Sequence, residues 1–283
     1  MPALRIMLFT VLAMLAFAGN SLLCRMALKT TAIDAASFTT IRLIAAAATL
    51  WVVLNIFAKS KPILGNWPSA LALFIYAAGF SFAYINLTAA TGALLLFGAV
   101  QISMIGVGIW KGEKFHGLQI IGFFLAVAGL FVLVLPGLAA PPLFNAALMI
   151  AAGVAWGVYS LRGRGAGDPT AVTTGNFIRT IPFTLVLSVL MFAHKNLDQG
   201  GVLLAIASGA ITSGIGYAIW YHALPGLKAT QAATVQLSVP VIAALGGILL
   251  LGENFSFRLG LASFAIIAGI ALVIFEKNRA APA

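Results

Sequence analysis

Polar residues interrupt this chain at long intervals, and the apolar runs between them have the length of a membrane crossing. A helix rises about 1.5 Å per residue, so about 20 apolar residues span the hydrocarbon core of a bilayer. Ten apolar runs predict ten transmembrane helices over residues 4–24, 35–57, 67–86, 91–110, 117–136, 143–161, 170–193, 199–222, 229–251 and 257–275. Two stretches exceed one crossing: Trp67 to Trp110 and Phe115 to Leu161 contain no Asp, Glu, Lys or Arg, so each must fold back. Asn86, Thr88, Thr91 and Gly92 mark the first turn, and Pro136, Gly137, Pro141 and Pro142 mark the second.

Composition removes the alternatives. Only 8% of the 283 residues are charged and 62% are hydrophobic, whereas soluble domains carry roughly 25% charge. A soluble enzyme and a disordered chain are both excluded. The net charge of +10 would suggest nucleic acid in a soluble protein, but basic residues accumulate on the cytoplasmic side of membrane proteins. With the N-terminus inside, the inner segments hold Arg5, Lys59, Lys61, Lys111, Lys114, Arg162, Arg164, Lys228, Lys277 and Arg279, and the outer ones only Arg25, Lys29, Lys195 and Arg258. Both termini are therefore expected in the cytoplasm, and the excess charge gives no reason to expect nucleic acid. The lone cysteine, Cys24, makes no intramolecular disulfide. Arg5 and the Ala16-Phe17-Ala18 triplet resemble a signal peptide, but the first span has a counterpart in mid-chain.

That counterpart belongs to an internal repeat. GEKFHGLQIIGFFLAVAG at 112–129 answers GENFSFRLGLASFAIIAG at 252–269, VQIS at 100–103 answers VQLS at 235–238, and AFAGNSL at 16–22 answers AWGVYSL at 155–161. Arg42 of the second span is matched by Arg179 of the seventh. Five spans per copy is an odd number, so residues 143–277 are expected to lie inverted relative to residues 1–137. Inverted repeats are a device of secondary transporters, whose two halves exchange roles around a midplane site.

These signatures, above all VQLSVPVIAALGGILLLGENFSFRLGLASFAIIAGIALV at 235–273, resemble those of the ten-helix EamA-type exporters of the drug/metabolite transporter superfamily. Within it the chain is most similar to the bacterial aromatic amino-acid exporter group. The resemblance implies an all-α integral membrane protein of the bacterial inner membrane that exports small metabolites, amino acids foremost, by alternating access. It implies no cofactor and a monomer whose partners are the lipid bilayer and the substrate. The first copy departs from the pattern: Gln101 and Glu113 are 12 positions apart where Gln236 and Glu253 are 17, and Pro240 has no counterpart. The fourth span is thus expected to be short and unkinked.

Polar side chains in a bilayer are costly unless they face a cavity or a neighbouring helix. The candidates for a substrate cavity are Asn20, Tyr84, Asn86, Gln101, Trp156, Tyr159, Asn176, Tyr217, Tyr221, Gln236 and Ser238. The repeat makes Asn20 equivalent to Tyr159 and Gln101 to Gln236, positions that would face each other across the centre. The competing role for the amides is to join helices, and for the tyrosines to belt the interface. Arg42 and Arg179 are the cations within spans: each is expected to snorkel to the headgroups, to hold a substrate carboxylate, or to latch one side. Pro182, Pro225 and Pro240 are candidate hinges. Glu113 and Glu253 sit at helix ends, and no carboxylate lies in mid-span, which disfavours proton coupling.

Two rivals make different demands. An intramembrane enzyme would need a metal or nucleophile constellation, and neither HExxH nor GxSxG is present. A sugar-phosphate or nucleotide-sugar carrier of the same superfamily would want several basic residues in its cavity, where only Arg42 and Arg179 are on offer.

Overall fold

The computed structural model describes residues 3–57, 62–110, 112, 117–135, 140–163, 166–223, 226–227 and 235–280. Among the described residues all regular structure is helical. The helices are α1 (Ala3–Thr30), α2 (Ala35–Phe57), α3 (Trp67–Tyr84), α4 (Ala89–Trp110), α5 (Leu118–Val134), α6 (Leu143–Gly163) and α7 (Pro169–Leu190), followed by α8 (Gln199–Ala207), α9 (Gly216–Ala223), α10 (Ser238–Leu251) and α11 (Phe257–Ala280). A π-helical segment, Ser208–Ile215, joins α8 to α9 into one continuous rod, so the α-helices of the described residues form ten rods. Among the described residues, six rods are long and apolar enough to cross a membrane: α1, α2, α3, α4, α6 and the composite eighth.

Short polar residues set where helices begin. Asn66, Asp168 and Asp198 each accept a hydrogen bond from a backbone N–H three residues on, at the starts of α3, α7 and α8. Asp34 accepts from Ser37 N–H at 2.9 Å ahead of α2. These caps satisfy amides that the first helical turn leaves without partners. The starts of α3 and α7 also carry a proline in the first turn, where its missing N–H costs nothing.

The surface is apolar and the interior is mixed. Leu249 is 80% exposed and Phe264 73%, while Asn20, Arg42, Asn145 and Asn176 are buried. That inversion is stable where lipid solvates the outside and most interior polar groups find partners within the bundle. α5 packs on α11, α2 on α7, and α6 on both α3 and α4; α1 packs on the eighth rod and on α10, and α2 on the eighth rod. Small residues allow the close approach. A side chain at Gly153 would stand 2.6 Å from the Leu96 carbonyl, and one at Gly269 2.5 Å from the Gly122 carbonyl, the contact that lets membrane helices gain dispersion energy.

Several boundaries differ from the sequence expectation. α1 continues six residues beyond position 24, past Arg25 and Lys29, because these cations are satisfied within the protein: Arg25 pairs with Glu253 and Lys29 donates to the Leu251 carbonyl. α4 begins at Ala89, so Thr91 and Gly92 are helical and Thr88 caps the helix through Thr91 N–H at 3.1 Å. The ninth span is broken at Leu237, and α10 starts at the next residue, Ser238, with Pro240 inside its first turn. Pro240 has no N–H to give the Gln236 carbonyl, which ends the helical ladder there. Pro182 sits inside α7 without stopping it. Pro225, Pro136, Gly137, Glu113, Lys59, Lys61, Lys111, Lys114, Arg164 and Lys228 lie outside the described residues.

Candidate functional site

A small cavity lies where α1, α3, α4, α6, the eighth rod and the approach to α10 converge. It is lined by Phe17, Asn20 and Ser21 of α1, Tyr76 and Phe80 of α3, Leu96 and Phe97 of α4, Trp156 of α6, Thr212, Tyr217 and Gln236. Both halves of the chain therefore contribute. Its volume is about 20 Å³, room for about one water. Anything larger enters only when the aromatic walls rotate or the helices part.

Asn20 organises the polar side of the cavity. Its Oδ1 accepts from Ser208 Oγ at 2.6 Å and lies 3.3 Å from Thr212 Oγ1, and its Nδ2 donates to the Tyr76 hydroxyl at 3.3 Å. Ser208 and Thr212 both stand on the π-helical segment, whose wider turn places them together toward α1; such segments recur at functional sites. α1 approaches closely because Gly216 would place a side-chain carbon 2.7 Å from Ala16 Cβ.

The apolar side is a run of aromatic rings. Trp156 packs 4.8 Å from Tyr76 and 5.2 Å from Tyr217 between centroids, and Tyr217 meets Phe17 at 5.6 Å and Phe177 at 5.8 Å. Tyr159 and Tyr221 form a second layer, 5.4 Å from Trp156 and 6.3 Å from Tyr217.

Arg42 lies behind this wall. It is 2% exposed, so it does not snorkel. One Nη2 donates to the Ala77 carbonyl at 3.0 Å, and the guanidinium sits 5.0 Å from the Phe80 ring and 5.9 Å from those of Tyr76 and Phe38. Ring faces attract a cation by about 2 kcal/mol when desolvated, which solvates the charge without neutralising it. Arg42 has no ion-pair partner among the described residues.

The two ends of the bundle are closed differently. At the end where α1 finishes with Thr30, Arg25 Nε donates to Glu253 Oε1 at 3.1 Å and its Nη1 to the Tyr84 and Ile85 carbonyls at 2.9 and 2.8 Å. Glu253 Oε2 accepts from Ala89 N–H at 2.7 Å, so a carboxylate 164 positions along the chain caps α4, as the positive pole of a helix start favours. Gly252, in the left-handed region at φ 61°, turns the chain so that Glu253 points back; this conformation strains any side chain-bearing residue. At the end where α1 begins, residues 62–66 lie against α7. Leu64 accepts from Arg179 Nη1 at 2.8 Å, Asn66 N–H donates to Asn176 Oδ1 at 2.9 Å, and Arg162 donates to Ser69 Oγ and Asn66 Oδ1 at 3.1 and 3.2 Å. Gly175 is required there because a side chain would collide with the Leu64 carbonyl.

Of the sequence candidates, Asn20, Trp156, Tyr217 and Gln236 line the cavity, and Tyr159 and Tyr221 stand behind it. Tyr84 is buried at the α3–α4 turn, its hydroxyl 3.3 Å from the Ala89 carbonyl. Asn86 donates to Asn145 at 3.2 Å, Asn176 holds the 62–66 segment, and Ser238 Oγ bonds back to the Val235 carbonyl at 2.6 Å. Gln101 is buried on α4 outside the lining, so it does not meet Gln236 there. Phe17, Phe80, Leu96 and Phe97 are lining residues that polarity alone does not reveal, and Ser21, Tyr76 and Thr212 are polar lining residues outside the sequence candidates; Tyr76 and Phe80 have the four-residue spacing of one helix face.

A helical membrane bundle with a closed polar and aromatic cavity at its centre is the form of a small-molecule carrier. Residues 143–275 match the EamA-like transporter family. An uncharacterized protein of Pseudomonas aeruginosa is 55% identical over 283 residues, covering 99% of each chain. The match to the EamA-like transporter family falls on the second half of the chain, whereas the Pseudomonas relative aligns with both halves. The threonine/homoserine exporter RhtA of Salmonella typhimurium is 32% identical over 187 residues, 60% of this chain and 63% of the exporter. An uncharacterized transporter of Archaeoglobus fulgidus is 25% identical over 249 residues, 82% of this chain and 86% of its own. A solved crystal structure shares the fold with a TM-score of 0.67 at 19% identity, covering 94% of this chain and 97% of its own. The narrower resemblance to aromatic amino-acid exporters has no counterpart among these relatives.

Proposed function

We propose that this protein is a secondary exporter of small neutral amino acids in a bacterial inner membrane. It works by alternating access between two inverted five-helix repeats, residues 1–137 and 143–277, with both termini cytoplasmic. The observation that carries the reading is the closed cavity, which draws Asn20, Tyr76 and Phe97 from one copy and Trp156, Thr212 and Tyr217 from the other. An amide and hydroxyls beside aromatic rings suit the polar backbone and uncharged side chain of such a substrate.

The helix pairing supports the repeat. Exchanging the copies leaves the α2–α7 and α5–α11 pairs in place, turns α3–α6 into the eighth rod with α1, and turns α4–α6 into α10 with α1, all of which occur. Halves related in this way trade environments when one end opens and the other closes. The printed activity of the Salmonella relative, export of threonine and homoserine, supports amino acids as the class.

Purified protein in liposomes loaded with labelled threonine, homoserine, phenylalanine or tryptophan, and in parallel a sugar phosphate, tests this. Efflux of at least one amino acid is expected, and Asn20→Ala is expected to slow it about tenfold, the loss of a buried hydrogen-bonding group. Movement of the phosphate ester with no amino acid moved overturns the assignment in favour of a phosphate-type carrier.

A further inference from the structure

Arg42 is a charge that the fold carries without a partner. Its Nη1 makes no hydrogen bond, and neither does Ser21 Oγ, another buried polar atom. Buried donors left without acceptors are uncommon in native proteins, and a cation within a span marks function by default. Ser21 lines the central cavity, and the two rings nearest Arg42 on α3, Phe80 and Tyr76, line it as well. The two unsatisfied groups thus flank one wall of the same cavity. Arginine keeps its charge under all physiological conditions and presents a fork that matches a carboxylate. No carboxylate of the described residues lies within ion-pair distance of it.

We propose that Arg42 is the anion-recognition group of the central site: a substrate carboxylate engages the vacant Nη1 side of the guanidinium and Ser21 Oγ when the Phe80 and Tyr76 side chains turn aside. This rests on the transport reading above and names the feature by which a substrate is chosen, a carboxylate. The Phe80 and Tyr76 rings, which border both the guanidinium and the cavity, screen the charge from that space. A substrate that neutralises it makes displacement of those rings favourable, so cavity opening is tied to the presence of an anion.

The test compares acids with their neutral amides on the whole protein in detergent, reading the thermal unfolding midpoint. The probes are threonine and threonine amide, phenylalanine and phenylalanine amide, acetate and acetamide, and benzoate and benzamide. A ligand that binds the folded state raises the midpoint with concentration. The acids are expected to raise it at concentrations at least tenfold below any at which the amides act, as a charge-assisted hydrogen bond requires. In Arg42→Gln the acid preference is expected to vanish, and in Arg42→Lys, which keeps the charge but loses the fork, to persist in weakened form. Equal action of acids and amides on the unaltered protein overturns the proposal whether or not the variants fold, as does an undiminished acid preference in Arg42→Gln. If amino acids neither bind nor move while acetate and benzoate still act through Arg42, the anion site stands and the amino-acid assignment falls.

Discussion

The two ends of the bundle use arginine to opposite purposes. At the Thr30 end Arg25 meets a carboxylate, Glu253, and both are largely buried; the second carboxylate oxygen accepts from Ala89 N–H, and Arg25 Nη1 donates to two carbonyls. At the Ala3 end Arg162 and Arg179 meet only carbonyls, a hydroxyl and an amide near the surface. The first arrangement ties Glu253, between α10 and α11, to α1 and the start of α4 through a largely buried ion pair; the second is a set of more exposed bonds that water can replace. A carrier that opens its ends in turn would part the Ala3 end with little loss and the Thr30 end only by rehydrating two charges.

The largest effect is expected at Glu253. Breaking a buried pair by removing one partner costs about 3–5 kcal/mol because the other charge is left stranded. Glu253→Gln should therefore lower the thermal midpoint more than any single change at the Ala3 end, and adding Arg25→Gln should restore part of the loss. A double variant no better than the single one would show that the pair does not act as a unit.

Next in size is Asn66→Ala, which removes the α3 cap and the acceptor for Arg162. A loss of about 1 kcal/mol is expected, read as a smaller midpoint shift. Arg179→Gln should cost less still, since surface interactions of a charged group are worth about 1 kcal/mol or less. An Arg179→Gln effect as large as that of Glu253→Gln would erase the contrast between the ends.

The smallest expected difference is in acid. Burial raises the Asp34 pKa, but hydrogen bonds from Ser37, Asn196 and Ala36 outweigh it and hold the carboxyl below its usual range. Asp198 is held low chiefly by Gly201 N–H, against a desolvation effect. For a depressed carboxylate the stabilisation is present above the unfolded value of about 3.9 and is lost as pH falls through the folded one. Amide exchange at residues 31–37 and 196–201 should therefore be unchanged between pH 7 and 5 and accelerate, relative to residues 62–69, below about pH 4 once intrinsic exchange rates are divided out. Uniform acceleration at both ends would contradict it, because Asn66, Ser69 and Asn176 do not titrate.

The rods were legible because lipid imposes one rule, uninterrupted apolar length, and the turns because Asn86, Thr88 and Asp168 cannot continue a run cheaply. The cavity was legible only in part. Asn20 and Gln236 stand out as amides in apolar spans, but Phe17, Phe80 and Phe97 have the same composition whether they face lipid, protein or substrate. Asn176 looked like a cavity residue and serves a backbone amide instead, a choice made by the loop before α3. The π-helical segment at Ser208–Ile215 has no sequence period of its own, and the Arg25–Glu253 pair joins residues 228 positions apart, beyond any local pattern.

Alternating access at the central cavity is tested most directly by thiol labelling at its wall. In a Cys24→Ala background, which removes the only native cysteine, Leu96→Cys places a thiol in the cavity lining. A membrane-impermeant maleimide is then applied to right-side-out and to inside-out vesicles, with and without threonine. The account predicts labelling from both faces, slowed by substrate on each. Labelling confined to one face, or unaffected by any transported amino acid, would contradict it.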